Sequence, residues 1–161
     1  MRKAELEKQY GALGIHVSFS RALDVTKRLP SRAEMLSWIR AASDRPLCIS
    51  IRFAGEEEMA KLNLGYRGRE GPTNVLTFDY VHEPEARADI AVCIPVIEAE
   101  AAAQGKSFRA HFAHMLVHSV LHAEGWDHET DEEAEAMEAK EAGIMAAIGF
   151  PNPYSDRARG H

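Results

Sequence analysis

Apolar and polar residues alternate along Ile15-His16-Val17-Ser18-Phe19, the period of a half-buried strand. The same period runs longer and more cleanly through Leu47-Cys48-Ile49-Ser50-Ile51-Arg52-Phe53. Val75-Leu76-Thr77-Phe78-Asp79-Tyr80 and Asp89-Ile90-Ala91-Val92-Cys93-Ile94 read as two further strands, the last stopped by Pro95. Between them, Glu83-Pro84-Glu85-Ala86-Arg87 is a turn. Helical stretches fill the gaps. Pro30-Ser31 opens one that carries Leu36, Ile39 and Arg40, with Ser31 as N-cap, Glu34 closing a capping box and Pro46 beyond its end. Residues 56–63 form a short helix whose three leading glutamates suit its positive N-terminal end. Tyr66-Arg67-Gly68-Arg69-Glu70-Gly71-Pro72-Thr73-Asn74 is predicted as a loop, because two glycines and a proline oppose regular structure.

The C-terminal half reads as helical. Residues 96–104 form an Ala/Glu-rich helix capped by Gly105, and Ser107 opens the next. That helix carries His111, His114, His118 and His122 near one stripe, with Phe112, Leu116, Val117, Val120 and Leu121 as core residues. A last helix starts at a Thr130/Glu133 capping box, has acids in its first turn on a solvated face, and ends near Ile148 before Gly149 and Pro151. Strand, helix, strand, helix, two strands and three helices predict an α+β fold, a small mixed β-sheet covered by helices. One domain spans residues 15–154, with a flexible N-terminal extension at 1–14 and a disordered tail at 155–161.

Within this pattern, His118, His122 and His128 stand at H-x3-H-x5-H. At about 3.6 residues per turn the first two share a helix face. Gly125 accepts positive φ, as a helix C-cap does, so the chain can turn back and bring His128 to the same point. Three neutral imidazoles around one divalent ion leave a coordination position open, as catalytic rather than structural zinc sites do. The expected cofactor is one zinc per chain at the end of the central helix, although the same imidazoles suit other divalent ions. Spacing of this kind, H-x3-H-x2-G-x2-H, also occurs in metzincin proteases, which place a glutamate base directly after the first histidine. Ser119 occupies that position here, so the ligand geometry is shared but the peptidase base is missing.

Composition narrows the picture further. The chain has 161 residues, 45% apolar and 27% charged, ordinary values for one globular domain. No apolar run reaches membrane-spanning length, and the charged N-terminus lacks the apolar stretch of a secretion signal. Cys48 and Cys93, far apart and outside any CxxC pattern, read as reduced thiols of a cytoplasmic protein. A formal net charge of −6 gives no global footprint for nucleic acid. DNA is not expected as a partner, and RNA would need a local basic patch. Arg67, Arg69, Arg87, Lys106 and Arg109 are the candidates for that patch.

Three separated segments carry a family resemblance: Leu62-Asn63-Leu64-Gly65-Tyr66-Arg67-Gly68, Pro72-Thr73-Asn74-Val75-Leu76-Thr77-Phe78, and the run from Ala110 through His128. In that order they resemble the YbeY family of bacterial endoribonucleases, also called rRNA maturation factors. Departures from the family's usual H-G-x-L-H-L-x-G-Y-D-H are Ser119, Ala123 and Trp126, and Ala88 stands where a glycine usually precedes Asp89. None removes a ligand, but Ser119 and Ala123 enlarge side chains or change packing on the ligand helix.

The resemblance implies zinc on His118, His122 and His128, and an activity-bearing arginine at Arg67. It implies cleavage of single-stranded RNA in ribosomal RNA processing, including 16S 3′-end maturation, and in ribosome quality control, with the small ribosomal subunit as partner. Physically, Arg67 could hold a phosphate by two parallel hydrogen bonds and stabilise developing charge. Asp127 could orient a ligand imidazole or cap the turn. His114, one turn before His118, could contact substrate or sit hydrogen-bonded in the core, and a non-ligand role is favoured. Glu124, two residues past His122, points away from the site. A metallopeptidase, or a ribosome-assembly factor with a structural metal, are the alternative readings.

Overall fold

A computed structural model describes residues 14–155. The expectations of a flexible extension and a disordered tail fall, apart from residues 14 and 155, outside the described residues. Four strands form one mixed sheet in the order β1-β2-β4-β3. They are β1 (Ile15–Arg21), β2 (Leu47–Ala54), β3 (Val75–Val81) and β4 (Ala86–Cys93). β1, β2 and β4 run parallel, with Ile49 opposite Ala88, and β3 is antiparallel to β4, with Leu76 opposite Ala91. The described helices are α1 (Arg32–Ala42), α2 (Glu56–Arg67), α3 (Ile94–Gln104), α4 (Phe108–Ala123) and α5 (Asp131–Ala147). The predicted α+β class and element order therefore hold.

The differences lie at element ends. Pro95 does not merely stop β4. It sits in the first turn of α3, where its missing N–H has no helical partner to lose, so the helix begins at Ile94. β4 starts earlier than predicted because Ala86 and Arg87, assigned to a turn, pair with Leu47 and Cys48. Ser31 caps α1 by accepting the Glu34 N–H at 3.1 Å. The Glu34 carboxylate does not complete the box but pairs with the Arg109 guanidinium on α4. The Thr130/Glu133 box of α5 is reciprocal, as predicted.

Successive side chains of a strand point to opposite faces. Ile90 and Val92 of β4 therefore enter the main core with Ile49, Ile51 and Phe53 of β2, while Ala91 and Cys93 join Met59 of α2 and Leu76 in a smaller cluster. The main core is built around α4, which packs against α1, α3, α5 and β3. Eleven of its sixteen residues are buried. Phe112 is the centre of an aromatic group: ring centroids lie 5.4 Å from Phe108, 5.9 Å from Phe53 and 6.5 Å from Trp38. Ser119 and Ala123 lie inside the packed face of α4. Both are fully buried, and the Ser119 Oγ–H donates to the Met115 carbonyl at 2.8 Å.

Truncating Phe112 removes that centre. Phe112→Ala should cost about 3–5 kcal/mol of unfolding free energy, measured by urea denaturation, and a cost below about 1 kcal/mol would mean α4 is not held by this group.

Candidate functional site

Helix α4 sets the site. Its outer stripe places His118 and His122 one turn apart, with ring centroids 6.5 Å apart and planes 21° from parallel. The helix ends at once. Glu124 caps it, and Gly125 takes φ of 101°, a conformation that side-chain-bearing residues rarely adopt. A Cβ at Gly125 would also lie 3.3 Å from His82 Nδ1. The Trp126 N–H reaches back to the Leu121 carbonyl at 3.0 Å. The reversed chain brings the His128 ring to 5.8 Å from His118 and 6.3 Å from His122. Asp127 accepts the His128 backbone N–H at 2.8 Å, the turn-capping alternative of its two expected roles.

The three imidazoles line a cleft of about 310 Å³. Its opposite wall is β3 and the segment before it, with Asn74, Thr77 and Asp79, and its rim is Tyr66 and Arg67. Arg67 is not on a loop, as predicted. α2 runs through Gly65 to Arg67, and Gly68 closes it in the left-handed conformation, its N–H donating to the Leu64 carbonyl at 3.0 Å. Glycine at a helix C-cap ends the helix one residue after Arg67 rather than before it. Of the five basic candidates, Arg67 alone lines the cleft. Arg109 is engaged by Glu34, and Lys106 donates to the Pro153 carbonyl at 2.7 Å.

The donor chemistry suits a divalent ion. Burial pushes the His122 imidazole below its ordinary pKa; Asp79 opposes this, and the neighbouring His118 adds to it. His122 is therefore neutral, the form that can bind a metal. Among the described residues, no three histidine, cysteine or acidic side chains already stand close enough to clasp one ion. The rings converge on the cleft and would have to close further around it.

Carboxylates that the sequence reading passed over surround the triad. Asp79 is the acid that lines the cleft, and its Oδ2 takes a hydrogen bond from His82 Nε2 at 2.6 Å. Burial raises the Asp79 carboxyl, but the His82 hydrogen bond and the nearby His122 outweigh it and hold it below the usual range. Glu141 of α5 lies beneath the histidines and contacts His114 and His118. Asn74, at the cleft edge, donates to Glu100 Oε1 at 3.2 Å, and His111 donates to the same oxygen at 2.9 Å. His111 and His114 thus share the stripe of the triad but serve as buried hydrogen-bonding groups. Glu141 had a legible signal: with Met137, Ile144 and Met145 it falls on the buried stripe of α5, an acid where apolar residues are expected. Asp79 had none, since alternation alone places it on an unspecified face of an edge strand.

Glu124 does point away from the cleft. Its buried carboxyl accepts the Ser43 hydroxyl at 2.8 Å and the Asp44 N–H at 3.3 Å, and Arg45 donates to its backbone carbonyl at 3.1 Å. These bonds tie the α1–β2 connection to the end of α4. Burial pushes the Glu124 carboxyl up to about 7, although the Ser43 hydrogen bond opposes it.

Comparison with known proteins places this geometry in context. A family model described as Endoribonuclease YbeY matches residues 23–149. Among curated relatives, an Endoribonuclease YbeY of Burkholderia lata is 52% identical over 134 residues, 81% of this chain and 78% of the relative. One from Delftia acidovorans is 46% identical over 146 residues, 89% of this chain and 96% of the relative. The solution structure of TM1509 from Thermotoga maritima is similar in fold, with a TM-score of 0.61 at 23% identity, over 89% of this chain and 93% of that one.

The Glu124 carboxyl makes stability depend on pH. The folded protein keeps its proton up to about pH 7, whereas the unfolded chain releases it near 4.5. The stability tied to the neutral acid is complete below about 4.5 and is lost as pH rises through 7. Glutamine cannot ionise, so the stability advantage of Glu124→Gln over wild type should grow by about 1–3 kcal/mol between about pH 4 and pH 8. Urea unfolding at the two pH values measures it; an advantage independent of pH would contradict the burial argument.

Proposed function

The chain belongs to the YbeY family of endoribonucleases, and on that premise we propose a zinc-dependent, single-strand-specific endoribonuclease acting in ribosomal RNA processing. The observation that carries the reading is one cleft lined by His118, His122, His128 and Arg67, which lie up to 61 residues apart in the sequence. An endoribonuclease is a hydrolase acting on RNA, so the bond to be broken is a phosphodiester. The finer assignments are 16S 3′-end maturation and ribosome quality control on the small subunit, in the cytoplasm. They rest on the family resemblance of the residues around this cleft.

His118, His122 and His128 would hold the zinc. Bound there, the ion would supply Lewis-acid stabilisation of a phosphoryl oxygen and activation of a nucleophile. Arg67 stands on the facing rim, exposed at the end of α2, where its planar guanidinium can grip two phosphate oxygens. It also offsets charge that builds on the phosphoryl group as the bond breaks. Asp79 places one negative charge among these cationic and imidazole groups, which disfavours a phosphate lodged against β3 and leaves the Arg67 side of the cleft for it. An RNA single strand can bend its backbone into a recess of this size, whereas a duplex holds its phosphates on a stiff helix. Ser119, buried against the Met115 carbonyl, offers no base to the cleft, which leaves the peptidase reading unsupported.

Two predictions test this function. His118→Ala, His122→Ala and His128→Ala should each reduce zinc to well below one per chain in metal analysis, while His114→Ala retains it; the reverse pattern for His114 and His128 would refute the ligand set. Arg67→Ala should keep zinc and fold but lose most cleavage of single-stranded ribosomal RNA. Arg67→Lys should recover only part of it, because an ammonium lacks the planar two-bond contact. Full activity in Arg67→Ala at unchanged substrate affinity would reduce Arg67 to a structural helix end.

A further inference from the structure

Glu141 is a charged side chain set in an apolar stripe. Met137, Ile144 and Met145 flank it on α5, and it is 1% exposed. A carboxylate in such a place is tolerated only if its oxygens are hydrogen-bonded. Three groups meet that need. His114 Nε2 and the Tyr154 hydroxyl, the latter at 2.8 Å, converge on Oε1, and His118 Nδ1 lies 3.2 Å from Oε2. With three donor-capable groups converging on its two oxygens, Glu141 meets them as an acceptor.

The consequence falls on His118. Facing a carboxylate, Nδ1 must carry the hydrogen. A neutral imidazole carries only one, so Nε2 keeps its lone pair. Nε2 lies across the ring from Nδ1, and His118 lines the cleft. Among the described residues, His118 alone of the three cleft histidines has a ring nitrogen in a hydrogen bond. Its ring is therefore oriented before anything binds, while His122 and His128 depend on backbone placement.

We propose that Glu141 is the positioning residue of the histidine triad: it holds His118 as the Nδ1–H tautomer with Nε2 presented to the cleft, and is itself held by His114 and Tyr154. The tautomer is a property of the metal-free protein. Only the consequence for metal affinity rests on the reading of His118 as a zinc ligand.

Glu141→Gln gives a sharp test. Two donors converge on Oε1, so the glutamine carbonyl should settle there and turn its NH₂ toward His118. Nδ1 must then accept, and the ring should convert to the Nε2–H form. Long-range ¹H–¹⁵N spectra of the metal-free protein at about pH 8, above the ordinary histidine pKa of about 6.5, read the tautomer directly. Wild type should show Nδ1–H at His118, and Glu141→Gln should show predominantly Nε2–H. Zinc affinity, by competition with a chromophoric chelator, should fall about 10- to 100-fold in the variant, with thermal unfolding of the metal-free protein little changed. Nε2–H in the wild type overturns the proposal, and that measurement needs no variant to fold. Unchanged tautomer and affinity in Glu141→Gln overturn it as well. His118→Ala separates the two readings: wild-type zinc affinity in that variant refutes the ligand assignment, while the tautomer result stands apart from it.

Discussion

Three imidazoles can meet at one cleft only if the helix that carries two of them is held rigidly and the chain reverses immediately after it. Both conditions are met at α4. Its inner residues are buried against α1, α3, α5 and β3, with Phe112 packed among three aromatic rings. Its end is closed by Gly125, whose φ of 101° no ordinary side chain favours. The reversal is braced from outside as well, since Arg45 donates both to the Glu124 carbonyl and to the His82 carbonyl, at 3.1 and 3.0 Å. A shift of α4 or a different turn would separate His128 from its partners, because no hydrogen bond among the described residues holds the His128 ring.

Electrostatics around this frame is local. The chain carries a net charge of −6, yet its cleft presents one arginine, three imidazoles and a single carboxylate. Three acids near the triad have charge states set by their surroundings, two ionised and one pushed toward neutrality. Glu141 is ionised because imidazole and phenol donors surround it. Asp79 is ionised because His82 pairs with it. Glu124 is pushed toward neutrality because burial outweighs the hydrogen bonds it receives. An endoribonuclease with this charge pattern meets an anionic chain through a short cationic edge rather than a broad basic face. Its grip on the phosphate must therefore come from close contacts.

Periodicity made the elements legible: two-residue alternation for β1 and β2, and a stripe of histidines and apolar residues for α4. The same local signals misplaced ends where one residue has two possible uses. Pro95 reads as a strand stop and is also a helix start; Gly68, Gly71 and Pro72 read as a loop from Tyr66 onward, but α2 continues through Gly65 and only Gly68 ends it. Arg67 therefore stands on the last turn of α2 rather than on a loop.

What the sequence determined by itself was the triad, because helix geometry turns a spacing of four residues into a shared face and glycine permits the reversal that returns His128. What only the tertiary structure decided was everything that meets the triad from another element. Arg67, Asp79 and Glu141 come from α2, β3 and α5, and each reaches His118 or its cleft across 23 to 51 residues of chain. No periodicity encodes such distances. They follow from how the sheet and helices pack, because which face of β3 and which side of α5 turn toward α4 is settled only when the core closes.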